Sequence, residues 1–150
     1  MYMWRDVIRR ATARVRLICY TFDLPLIRDA LRQSASDGRQ VQVVADRGQA
    51  YSHRTREMHD MLISLVDAGV EVTTRSGSHG GFGGLCHTKL LITDAEAVIG
   101  SCNFTGASRS NFEVSALLSI ENARPFDEAF QSARSAASDF VRNAVHAAPQ

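Results

Sequence analysis

His87-Thr88-Lys89-Leu90-Leu91-Ile92-Thr93-Asp94-Ala95-Glu96-Ala97-Val98-Ile99-Gly100-Ser101-Cys102-Asn103-Phe104-Thr105 is the stretch that decides how this chain folds. Residues 90–93 are apolar and β-prone and predict a strand. Asp94-Ala95-Glu96 reads as a turn, Ala97-Val98-Ile99 as a second strand, and Gly100 as its end. Successive strand side chains point to opposite faces, so His87 and Lys89 share one face and Asp94 has the other parity. Ser101 and Asn103 share a parity and can be presented near His87 and Lys89. Lys89 is the only lysine in a chain with sixteen arginines. An ammonium is a compact point charge on a flexible stem, whereas a guanidinium is a rigid planar fork.

The chemistry of this cluster follows from its groups. An imidazole is a competent nucleophile or general base near neutral pH. The Lys89 ammonium and the Asn103 amide are donors suited to negative charge developing on phosphoryl oxygens. A carboxylate on the far imidazole nitrogen would set the tautomer and support the charge that forms on reaction. Glu113, which opens a β-prone run over 113–120, is the candidate for that role.

His87, Lys89, Asp94, Gly100, Ser101 and Asn103 match in type and order the pattern H-x-K-x4-D-x6-G-S-x-N. The chain thus resembles the HKD-motif members of the phospholipase D superfamily. Phe104-Thr105 matches the aromatic-Thr pair that commonly follows, and Glu113 the downstream acidic residue that pairs with the motif histidine in small members. There is one departure. Five residues separate Asp94 from Gly100, where the pattern has six. A shortening confined to the turn at Ala95-Glu96 leaves the strands in register. A loss inside a strand would turn every later side chain to the other face and take Ser101 and Asn103 out of the site.

The resemblance implies a metal-independent phosphodiesterase that works through a phosphohistidine, with no cofactor. One motif histidine attacks phosphorus; a second protonates the leaving oxygen and then activates water. This chain has one motif, so the second histidine would come from a symmetry mate, and a homodimer with one composite active site is expected. Lys89 and Asn103 of both chains would stabilise the oxyanion. The substrate class stays open between three readings. An endonuclease on single-stranded DNA or RNA ranks first, in the manner of small bacterial single-motif endonucleases and Zucchini-type nucleases. A phospholipase on a cardiolipin-like lipid ranks second. A catalytically inactive nucleic-acid-binding module, suggested by the shortened motif, ranks third.

Working outward, 150 residues with net charge +1 describe one globular domain over the whole chain and exclude a protein that binds nucleic acid by bulk charge. A local basic groove remains open, with Arg47, Arg54, Arg56, Arg75 and Arg109 in or near segments that could surround the site. Arg47 and Arg109 are candidate substrate contacts. Asp46 and Arg47 end a strand on the side where loops carry function in open α/β sheets; either could contact substrate, and a structural turn role ranks ahead for both. Residues 76–84 are glycine-rich and carry Phe82, which could stack on a base or touch a lipid chain. His79 in the same loop is a weak candidate for a second acid or base, and His53, His59 and His146 read as surface or incidental histidines. Cys19, Cys86 and Cys102 have no metal-type spacing and read as buried thiols in a reducing compartment. No apolar run reaches the length of a membrane span, and the first residues lack the apolar stretch of a signal peptide. A soluble, cytoplasmic protein is the default expectation, with a mitochondrial surface the alternative if an anchor is missing.

Hydrophobic spacing predicts helices around residues 4–11, 24–35 and 58–66, and a long C-terminal helix striped by Phe126, Phe130, Ala133, Ala137, Phe140 and Ala144. Strands are predicted over 15–21, 41–45 and 70–74. Strands alternating with helices imply an α/β fold, and the hairpin makes the sheet mixed. The resemblance implies the same α-β-α sandwich.

Overall fold

The computed structural model describes residues 2–77 and 84–142. Phe82, His79 and His146 lie outside the described residues. The strands run in the order β6-β5-β4-β1-β2-β3-β7. Three of them, β1 (Arg14–Cys19), β2 (Gln40–Asp46) and β3 (Glu71–Arg75), are parallel and joined by helical crossovers. The others, β4 (Leu90–Thr93), β5 (Glu96–Gly100), β6 (Ser115–Ser119) and β7 (Ser138–Asp139), pair antiparallel. Helices α1 (Tyr2–Arg10), α2 (Pro25–Ser36) and α4 (Arg56–Asp67) cover one face. Helix α5 (Arg124–Ser135) covers the other, and a short α3 (Arg47–Ala50) follows β2 directly. This is the mixed α-β-α sandwich expected.

Alternation along the strands builds the two cores. Val15, Leu17 and Cys19 of β1, with Val41, Val43 and Ala45 of β2, face Trp4, Ile8, Leu31 and Leu62. Ile18, Val44, Leu90 and Ile92 face the other way, toward Phe130 and Ala133 of α5. Phe130 is fully buried, and its truncation to alanine would cost about 3–5 kcal/mol. The three thiols are free and buried, and burial pushes each thiol pKa up.

The C-terminal stripe does not form one helix. Helix α5 ends at Ser135, and β7 then pairs with β3. Phe140 packs on the opposite face, stacked at 5.6 Å on Tyr51. Its backbone N–H donates to Val72 O at 3.1 Å. Helical spacing had grouped Phe130 and Phe140, but they belong to different cores, because the chain rounds the sheet edge between them. His59 is also not a surface histidine. It is buried, with Nδ1 2.9 Å from Ala50 O and Nε2 3.1 Å from Arg142 O, and so ties the C-terminal segment to α3 and α4.

The hairpin turn is tight. Leu90 opposes Ile99 and Ile92 opposes Ala97 without a bulge, and Thr93 Oγ1 accepts from the Ala95 and Glu96 amides. The ladder continues to Gly100 N–H, which donates to Lys89 O at 3.4 Å. Asp94-Ala95 thus forms a two-residue turn between β4 and β5, whose ladder is continuous. Gly100 has to be glycine, because an added Cβ would overlap Ser115 Oγ and the Val114 carbonyl and lie 2.9 Å from Ser115 Cα.

Candidate active site

The C-terminal ends of β1, β2 and β3 and the entry to β4 share one end of the sheet, where ligands collect in open α/β folds. His87 and Lys89 meet there. The Lys89 Nζ donates to its neighbour's carbonyl, His87 O, at 2.6 Å and lies 2.9 Å from His87 Nδ1. Tyr20, the residue after β1, holds both. Its ring centroid is 4.5 Å from the His87 ring, and Lys89 Nζ lies 5.3 Å from it. Its hydroxyl accepts from Gln49 Nε2 at 3.0 Å. Lys89 is only 4% exposed. Burial holds its ammonium below the ordinary lysine range, with the Glu113 and Cys86 charges opposing.

An ammonium that donates to Nδ1 leaves the proton of a neutral imidazole on Nε2. Sequence reasoning gives Glu113 the far imidazole nitrogen, but Glu113 is engaged elsewhere. One carboxylate oxygen accepts from the Ser101 hydroxyl, the other from Asn111 Nδ2 at 3.1 Å. Those two bonds, Ser101 first, hold the Glu113 carboxyl below the usual carboxylate range. Among the described residues no hydrogen bond joins Glu113 to His87. Ser101 in turn accepts from Val114 N–H at 3.2 Å, so it fastens Glu113 to the strand end rather than pointing freely at the histidine.

Asn103 follows β5, next to Phe104. Phe104 is anchored by a bridge to Phe22 and an edge-on contact with Trp4 at 4.6 Å. Asn103 is half-buried, and its Oδ1 is enclosed without a hydrogen-bond partner among the described residues. Asp94 is not at the site. It sits at the far end of β4 and accepts from the backbone N–H of Thr12, Ala13 and Arg14 at 3.0, 3.0 and 3.1 Å, and from Thr12 Oγ1 at 2.6 Å. Burial pushes its pKa up, but these donors outweigh that and hold the carboxyl far below its usual range.

Asp46 has the structural role. It is buried, caps α3 through Gln49 N–H, and accepts from Cys86 N–H at 2.7 Å, setting the chain's entry into His87. Arg47 and Arg109 are exposed. Arg109 lines a cleft of about 440 Å³ with Cys102, Glu113 and Ser115. Among the described residues eight ion pairs neutralise arginines, including Arg134 with Glu71 and Arg10 with Glu96. Arg47, Arg54, Arg56, Arg75 and Arg109 have no carboxylate partner among the described residues. The residue missed by sequence reasoning as a site member is Tyr20. Its signal was its place, directly after a parallel strand at the ligand-binding end.

Among the described residues no group of three or more His, Cys, Asp or Glu side chains converges as a metal cluster. No helix among them is long and apolar enough to cross a membrane.

Residues 4–134 match the family described as cardiolipin synthase, PLD-like domain. The chain belongs to this family and so to the phospholipase D superfamily, whose members act on phosphodiesters. Solved structures agree in fold. Nuc of Salmonella typhimurium, described as a phospholipase D family member, superposes with TM-score 0.79 at 23% identity, covering 93% of this chain and 89% of its own. NucT of Helicobacter pylori gives 0.77 at 20%, with the same coverages. The phosphatidylserine synthase of Haemophilus influenzae gives 0.65 at 12%, covering 91% of this chain and 36% of its own. No curated protein sequence matches the chain significantly.

Proposed function

We propose that the protein is a metal-independent phosphodiesterase that cleaves nucleic acid, single-stranded DNA or RNA, through a phosphohistidine on His87. The observation that carries this reading is the His87–Lys89 contact beneath Tyr20, at an end of the sheet where Arg47 and Arg75 stand without carboxylate partners among the described residues. As substrate binds, a phosphoryl oxygen draws Lys89 Nζ off Nδ1. The ring proton then resides on Nδ1, and the Nε2 lone pair attacks phosphorus. The N–P bond forms, the P–O bond to the leaving group breaks, and the departing oxygen takes a proton from a second histidine. Water, deprotonated by that second histidine, then attacks phosphorus and releases Nε2. Lys89 and the Asn103 amide offset the charge on the equatorial oxygens.

The second histidine is His87 of a second copy, in a homodimer with one composite site. The edge strand β6 and the segment leading to it expose Phe112, Val114 and Leu117 beside Glu113, with Phe112 97% exposed. This apolar edge, next to a site to which the described residues bring one histidine, is the face for the second copy. Hydrolysis of a phospholipid is the second reading, favoured by the exposed Leu85 next to the motif.

The test is release of nitrophenol from bis(p-nitrophenyl) phosphate in excess chelator, beside His87→Ala. Chelator-resistant turnover lost in the variant supports the mechanism. Cleavage of a single-stranded oligonucleotide but not of cardiolipin vesicles supports the substrate class, and the reverse result would replace it with the lipid reading.

A further inference from the structure

We infer that Arg75 is a substrate-positioning residue, and that the cleft it shares with His87 receives the nucleotide next to the scissile phosphate, with the Arg75 guanidinium on the adjoining phosphate. The inference rests on the nucleic-acid reading above and adds a subsite to it. Arg75 is the last residue of β3, two strands from β1, and pairs in register with Asp46. A cavity of about 240 Å³ opens between this strand end, the segment entering β4 and helix α5. Arg75, His87, Thr88 and Ser132 are among its polar lining residues, and Ile18, Leu85 and Ala133 among its apolar ones. That mixture suits part of a nucleotide, with a guanidinium for a phosphate and aliphatic side chains for sugar or base.

The two ends of β3 show how selectively Arg75 is left free. At the start of the strand, Glu71 neutralises Arg134 at 2.6 Å. At the end, Arg75 spends Nε on the Ser76 carbonyl at 3.0 Å and has no carboxylate partner among the described residues. Among the described residues its two terminal amino groups have no hydrogen-bond partner, which leaves their donors for a bidentate acceptor such as two oxygens of a phosphate. The guanidinium also reaches the motif electrostatically: it opposes the upward push that burial gives the Cys86 thiol, one residue before His87. A neighbouring phosphate would thus be gripped within the same cleft as the attacking imidazole. The chain can therefore sense that its substrate is a polymer and not an isolated diester.

The experiment compares Arg75→Ala and Arg75→Lys with wild type on two substrates. One is bis(p-nitrophenyl) phosphate, which has no second phosphate; the other is a single-stranded oligonucleotide. The expected result is a loss of kcat/KM at least about tenfold greater on the oligonucleotide than on the small diester, carried by KM, with Arg75→Lys recovering part of it. The salt dependence of oligonucleotide binding should flatten by about 0.7 in log–log slope, one phosphate contact on a single strand. Equal losses on both substrates, or an unchanged salt slope, overturn the inference while leaving the nuclease reading intact. A wild-type protein that turns over the small diester but not the oligonucleotide overturns both. Thermal unfolding of both variants identifies a folding defect, and the within-variant ratio of the two substrates is independent of the folded fraction.

Discussion

Replacing Asp94 separates a structural role from a catalytic one. The motif spacing groups Asp94 with His87 and Lys89, yet it stands beyond the four residues of β4, about 17 Å from Lys89 at about 3.4 Å per residue. There its carboxylate gathers three backbone N–H groups and the Thr12 hydroxyl, joining the hairpin turn to the loop between α1 and β1. Hydrogen bonds to a charged acceptor contribute about 1.5–3 kcal/mol each. These share one partly exposed carboxylate and do not add, so the set is worth about 2–4 kcal/mol. In a domain of this size that lowers Tm by about 5–12 °C. Asp94→Ala should lose this amount and Asp94→Asn about half, measured by urea titration. Specific activity per folded molecule should stay within about twofold of wild type. The pH dependence has a definite sign. The folded carboxyl titrates below its ordinary value, so its contribution is complete above about pH 4 and is lost as the pH falls through the folded pKa. The gap between wild type and Asp94→Asn should therefore narrow in acid. Wild-type stability in both variants, with kcat down by orders of magnitude, would refute the structural assignment and return Asp94 to the catalytic machinery.

Three further outcomes can be checked. Lys89 must be charged to hold a phosphoryl oxygen, and burial lowers its pKa from 10.5, so the alkaline limb of kcat should begin to fall below that pH; activity flat through pH 10.5 would count against the role. Gly100→Ala would drive a methyl into Ser115 and the Val114 carbonyl, costing about 1–3 kcal/mol and reducing activity through the Ser101–Glu113 clamp; an unperturbed melt would show that β5 and β6 are less tightly joined than they look. Co-refolding wild-type with His87→Asn chains should give mixed dimers of greatly reduced activity, since each composite site needs both histidines. Mixed dimers that keep full per-dimer activity would show that one chain suffices.

Much of this protein could be read from local pattern. Apolar runs and stripes of helical spacing marked β1 to β6 and all of the longer helices, because burial on a sheet face or helix face demands those periods; β7 fell inside a stripe read as helix. Strand parity grouped His87 with Lys89, and the two side chains do meet, although β4 itself begins at Leu90. Three things needed the tertiary structure. Phe140 shares the helical spacing of α5, yet only the turn around the edge of the sheet sends it to the opposite core. Asp94 has the residue type and offset of a site member, but a strand carries it to the other end of the sheet, where free backbone donors at residues 12–14 claim it. Tyr20, Asp46 and Arg75 lie 67, 41 and 12 positions from His87 in the sequence, and parallel pairing of β1, β2 and β3 brings their strand ends to the motif. Spacing along the chain reports only what neighbours do. Contacts between distant strands are set by which edges pair, and that is decided by the packing of the whole sheet.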